Sequence, residues 1–134
     1  ELADTFAAIA PVAGVLGVPT CTPSRPMPVM HFHGTADPLV PYDGNPAMGF
    51  PSVLDTFHGW AERDGCTDSA PAQTYAHGDA SCQTYHQCAG GAEVTLSVGH
   101  GFSRQDGEPV KITGKVLSVS DGTYVMRDAG AQGR

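Results

Sequence analysis

Basic residues are scarce. Seven Lys plus Arg stand against 14 Asp plus Glu, giving a formal net charge of −7, and no basic cluster offers the footprint that a phosphate backbone or an anionic lipid surface requires. Nucleic acid and membrane are therefore not expected as partners, and a neutral or cationic substrate is easier to accommodate. Long apolar runs are missing as well. Nothing approaches the roughly 20 residues that cross a bilayer as a helix. The opening Glu1-Leu2-Ala3-Asp4 lacks the basic region and cleavage site of a signal peptide, so the N-terminus reads as internal to something longer. No internal repeat or low-complexity tract is visible. Charged residues make up only 16% of the 134, against 40% hydrophobic, which keeps a chain with 17 Gly and 11 Pro out of the disordered class and predicts one domain with a core.

Cysteines are few, and their spacing excludes the common metal patterns. Cys21, Cys66, Cys82 and Cys88 contain no Cys-x-x-Cys, and the step from Cys82 to Cys88 is too wide for a zinc knuckle. Three of them fall within residues 66–88, a Ser/Thr/Gly/Ala/Gln-rich stretch read as a loop with little apolar material to hold it down. A disulfide there, Cys66 with Cys88, in an oxidising compartment is one reading. Free thiols acting as small core residues are the other.

The pattern along the chain predicts an α/β arrangement. Phe6-Ala7-Ala8-Ile9-Ala10-Pro11 reads as a buried strand over 6–10 that ends at Pro11, because proline cannot donate to a central ladder. Pro28-Val29-Met30-His31-Phe32-His33 reads as a second strand. Between Ser52 and Asp64 the period changes: Val53, Leu54, Phe57, Trp60 and Ala61 recur at three and four, an amphipathic helix with Ser52 as N-cap and Gly65 as its stop. Residues 92–98 alternate as a third strand, and the helix-length crossover implies a small, mostly parallel sheet. From Pro109 to Met126, period-two alternation on either side of Asp121-Gly122 predicts an appended β-hairpin. The segment 99–108 reads as the boundary between a domain at 1–98 and a tail at 99–134.

One segment carries candidate chemistry. Met30-His31-Phe32-His33-Gly34-Thr35-Ala36-Asp37-Pro38 reads as a strand running into a turn that holds out one carboxylate. Asp37 is a candidate triad acid, able to fix the tautomer of a histidine and stabilise its imidazolium; the alternative is an Asp that only caps the turn before Pro38. His31 and His33, two apart, point to one face. A metal site is the weaker reading for them, because Gly34, Thr35 and Ala36 intervene where binuclear zinc hydrolases place further ligands. His33 reads instead as a strand-end residue packing near Asp37. His58, His77 and His86 read as surface groups, and Trp60 as core.

Residues 1 to about 98 resemble the C-terminal part of secreted esterases of the polyhydroxybutyrate depolymerase and feruloyl esterase type, within the α/β-hydrolases. The resemblance rests on Glu1 to Gly14, Arg25-Pro26-Met27-Pro28-Val29-Met30-His31-Phe32-His33-Gly34-Thr35-Ala36-Asp37, Trp60-Ala61-Glu62-Arg63-Asp64-Gly65-Cys66, and Gly91-Ala92-Glu93-Val94-Thr95-Leu96, four motifs in the family's order. It implies a partial α/β-hydrolase fold, Asp37 as the acid and His100 as the base after the third strand. The family's glycine run before that histidine and Trp-Pro after it are replaced here by Val98-Gly99-His100-Gly101-Phe102, and the other reading of His100 is a boundary-loop residue without a partner. The serine nucleophile of a Gly-x-Ser-x-Gly elbow occurs nowhere in the 134 residues. The resemblance thus implies a chain starting just after that serine, inactive alone, secreted, without cofactor or metal, and acting on a polyester or aromatic ester when completed. An uncovered strand edge is expected to promote self-association. The rival expectation is a noncatalytic interaction module on a hydrolase-like scaffold.

Residues from about 97 to 134 resemble the C-terminal segment of microcystinase-type metallopeptidases, on Val98-Gly99-His100, Asp106 to Gly114 and Leu117 to Val125. This shorter resemblance carries over no metal ligand. Taken together, the two imply a junction of unrelated pieces with His100 on the seam.

Overall fold

The computed structural model describes residues 2–100 and the backbone of two further strands, Gly114–Ser120 and Thr123–Asp128. It divides into two units, Glu1–Phe102 and Ser103–Arg134. The larger unit is a mixed four-stranded sheet with one α-helix packed on it. Its strands are β1 (Val29–Gly34), β2 (Ala72–His77), β3 (Ala80–Tyr85) and β4 (Val94–Gly99), in the order β1-β4-β3-β2. β1 pairs with β4 in parallel, Val29 opposite Val94 through Gly34 opposite Gly99, while β3 is antiparallel to both β4 and β2. This is a partial α/β arrangement.

The helix α1 (Val53–Arg63) forms as its sequence pattern requires. The Ser52 hydroxyl accepts from Asp55 N at 2.9 Å and satisfies one of the donors orphaned at the first turn. At the other end Gly65, at φ +61°, lets its own N–H reach Glu62 O and the Cys66 N–H reach Ala61 O, the paired bonds of a Schellman stop. The buried stripe is Val53, Thr56, Phe57, Trp60 and Ala61. Val53, Phe57 and Trp60 of this stripe pack with Val29 of β1, Val94 and Leu96 of β4, and Ala3 and Met27 into one core. Each large apolar side chain removed from water here contributes roughly 1.5–3 kcal/mol.

Three expectations are corrected. The first strand is not 6–10. Pairing with β1 runs instead over residues 9–13 and straddles Pro11: Ile9 N bonds Pro28 O, Met30 N bonds Ile9 O, Phe32 N bonds Pro11 O and Ala13 N bonds Phe32 O. Pro11 lacks only the donor, and its carbonyl still accepts, so the ladder loses one bond and continues as two isolated parallel bridges. The sheet is mixed rather than mostly parallel. The reason is the third correction: within residues 66–88 lies an antiparallel hairpin, β2 and β3, turning at Gly78-Asp79.

Of the two readings of the cysteines, the disulfide holds for one pair. Cys66 and Cys88 form a disulfide that clamps the base of that hairpin, while Cys21 and Cys82 are free. A row of hydroxyls crosses the three antiparallel strands: Thr74 to Thr84 at 3.1 Å and Thr84 to Thr95 at 3.0 Å. His58, His77 and His86 are exposed and Trp60 is core.

In the smaller unit, β5 (Gly114–Ser120) and β6 (Thr123–Asp128) are antiparallel, with Ser120 opposite Thr123, in agreement with the hairpin expected about residues 121 and 122. The expected strand residues 109–113 and the boundary residues 101–108 lie outside the described residues.

Candidate functional site

The parallel pair β1 and β4 ends in two adjoining turns. In open parallel sheets the crevice beyond the carboxyl ends of the strands is where ligands bind, because turns from neighbouring strands converge there. Here the backbone pairing continues past the strands: Thr35 N donates to Gly99 O at 2.7 Å and Ala36 N donates to His100 O at 3.0 Å. Asp37 and His100 therefore occupy neighbouring turns at the same end of the sheet.

Asp37 closes its turn in two ways. Its N–H bonds Gly34 O, and its Oδ1 accepts from Leu39 N at 2.9 Å and Val40 N at 3.0 Å. The capping use of this residue is thus present. It consumes one oxygen only, and no group among the described residues hydrogen-bonds Oδ2. The Val40 and Leu39 amides hold the carboxyl below the usual carboxylate range, with partial burial opposing them and the nearby His33 ring adding to them. Asp37 is therefore an ionised acceptor at neutral pH.

His100 is exposed and is held through its main chain: its carbonyl accepts from Ala36 and its N–H donates to Asp79 Oδ2 at 3.2 Å. The structure brings its backbone against the Asp37 turn. No hydrogen bond joins its ring to Asp37 among the described residues.

Beneath the turn, His31 and His33 are fully buried on the inner face of β1. His33 Nε2 lies 2.9 Å from Val40 O, and His33 Nδ1 lies 3.2 Å from His31 Nε2. Tyr42 packs edge-on against His33, with ring centroids 6.2 Å apart. Both nitrogens of His33 are thus engaged within the protein, an arrangement of linked hydrogen bonds rather than a cradle open to a cation. Burial pushes the Tyr42 hydroxyl above its ordinary value, with Asp43 adding to the effect.

Sequence reasoning missed Asp79 and the contact between His33 and Val40. The Gly78-Asp79 pair between two Thr- and Tyr-bearing segments is a two-residue hairpin signal and could have located Asp79. No local signal announces the reach of His33 to Val40.

No protein-family model matches the chain. Feruloyl esterase B of Piromyces equi is 31% identical to it over 120 residues, covering 81% of this chain and 22% of that protein. The chain is thus distantly related to an esterase and spans about a fifth of that relative's length. Nothing in the comparisons supports the metallopeptidase resemblance of residues 97–134.

Proposed function

We propose that this chain is the acid- and base-bearing part of a carboxylic-ester hydrolase, with Asp37 as the acid and His100 as the base. The observation that carries the reading is the bond from Ala36 N to His100 O, which sets the two residues in adjoining turns at the carboxyl ends of parallel strands. The distant relationship to a feruloyl esterase supports it.

In this reading Asp37 Oδ2 accepts the Nδ1–H of the histidine and leaves Nε2 free to take a proton. The attacking oxygen belongs to a serine outside these 134 residues, since no Gly-x-Ser-x-Gly elbow occurs among them. As the oxygen attacks the ester carbonyl, His100 takes its proton and Asp37 stabilises the imidazolium. The imidazolium then protonates the departing alcohol, and water repeats the sequence on the acyl-enzyme. The substrate class is an aromatic carboxylic ester or a polyester, and the protein acts outside the cell, where the Cys66–Cys88 disulfide persists.

Hydrolysis of p-nitrophenyl esters tests this, measured on the chain alone and on the chain joined to a nucleophile-bearing esterase segment such as that of the Piromyces equi relative. The expected result is no turnover alone, turnover when joined, and a loss in kcat on the order of 10⁴ for Asp37→Asn and on the order of 10⁶ for His100→Gln. Turnover indifferent to both substitutions overturns the assignment. A second reading, a noncatalytic interaction module, is favoured by the missing elbow alone; absence of turnover in every joined form would select it.

A further inference from the structure

We propose that His33 is a positioning residue that latches the Asp37 turn onto the end of β1, its donor tautomer being imposed by His31. The proposal rests on the reading of Asp37 as the acid and adds the device that holds it.

The tautomers follow from which atoms can donate. Val40 O is a carbonyl and only accepts, so His33 Nε2 carries the hydrogen of the 2.9 Å contact. In the neutral ring His33 Nδ1 then bears a lone pair, and the hydrogen of the 3.2 Å contact comes from His31 Nε2. His31 Nδ1 is left bare, and it is indeed one of two buried side-chain polar atoms with no hydrogen-bond partner among the described residues. Both rings are Nε2–H tautomers, and the chain of donors runs in one direction: His31 to His33 to the carbonyl of Val40.

Val40 is the pivot. Its carbonyl is held by His33 from within the core, while its N–H donates to Asp37 Oδ1. One peptide-linked residue thus connects a fully buried ring to the carboxylate. Asp37 itself is only partly buried, and the next residues outward, Pro38 and Leu39, are exposed, Leu39 at 79%. A turn so exposed has little apolar contact to fix it, so a buried donor gripping Val40 supplies the restraint. Were the tautomer of His33 reversed, a lone pair would face the Val40 carbonyl and the turn would be repelled. The 2.9 Å contact to His33 sets the tautomer requirement; the 3.2 Å contact to His31 enforces it.

Two-dimensional long-range ¹H–¹⁵N spectra of the chain at pH 7.5 test the tautomers directly. The expected pattern is Nε2–H for both His31 and His33; an Nδ1–H pattern for His33 overturns the latch even if every variant below fails to fold. The second arm compares His33→Phe, which keeps a ring of similar bulk without the donor, with His33→Gln, which keeps an N–H of similar reach. In His33→Phe the Val40 and Leu39 amides should exchange roughly fivefold faster or more, and Asp37 should titrate at higher pH by carboxyl ¹³C shift. The amides pairing β3 with β4 should keep their protection, and His33→Gln should restore most of the loss. Unchanged exchange in His33→Phe overturns the proposal. Because these readouts need no turnover, a latch that is seen while Asp37→Asn leaves a joined esterase fully active would refute the catalytic assignment alone. A turnover loss with no latch would refute this proposal alone.

Discussion

His31 and His33 meet through ring nitrogens 3.2 Å apart, their planes at 81°, inside the core beneath the Asp37 turn. Burial, and secondarily the neighbouring His33, lowers His31 to about 4 from an ordinary value near 6.5. A base depressed in the folded state contributes stability that is complete above its unfolded value and is lost as the pH falls. The window is from about 6.5 down to about 4, and the full loss is on the order of 3 kcal/mol. Urea denaturation at stepped pH should show stability falling through this window, and His31→Gln should flatten that slope. An identical slope in the variant would remove His31 as the cause.

Asp64 offers the opposite sign. It is fully buried at the end of α1, with Oδ1 accepting from Met27 N at 2.9 Å and Oδ2 without a partner among the described residues. Burial raises its carboxyl above the ordinary value, against the pull of the Met27 amide and the Arg25 and Arg63 guanidinium groups. A raised acid contributes stability below its unfolded value, and that contribution is lost as the pH rises through the folded one. At neutral pH, Asp64→Asn should therefore be at least as stable as the parent, since it keeps the acceptor and sheds the charge. Asp64→Ala leaves the Met27 amide unpaired and should cost about 1–3 kcal/mol. Thermal melts that rank Asn below Ala would contradict this.

Reduction of the Cys66–Cys88 disulfide opens a closure of 22 residues that contains the whole β2–β3 hairpin. The loss expected from the unfolded-chain entropy is about 3 kcal/mol. Guanidinium midpoints with and without reductant, and for Cys88→Ser, should agree with each other and fall below the oxidised parent. Hydrogen exchange should rise first in β2, which is exposed along its entire length.

Ser52→Ala removes the oxygen that accepts from Asp55 N and should destabilise by about 1 kcal/mol, whereas Ser52→Asp should be nearly neutral. Equal melting of the Ala and Asp variants would show that the cap contributes nothing.

The helix was readable because three independent signals agreed on it: the apolar stripe, the Ser52 cap and the Gly65 stop. β1 and β4 were readable from apolar content, to within a residue or two. β2 was not, because both of its faces meet solvent and Ala72-Gln73-Thr74-Tyr75-Ala76-His77 has no inward set to alternate. The pairing across Pro11 was hidden for a different reason. Proline lacks the donor and so signals a strand end, yet a parallel ladder alternates donors and acceptors, and a residue that still accepts can sit within it. At the candidate site, the residue type and the turn announced Asp37. The grip of His33 on Val40 depends on how a loop folds back over a strand, which no spacing rule encodes.

The bond between Ala36 and His100 has a mechanical consequence. It stitches the two turns into a single rim, so a sideways displacement of one must carry the other with it. Lengthening either turn by a residue would unpick that stitch and let the imidazole and the carboxylate drift independently, even with every side chain intact.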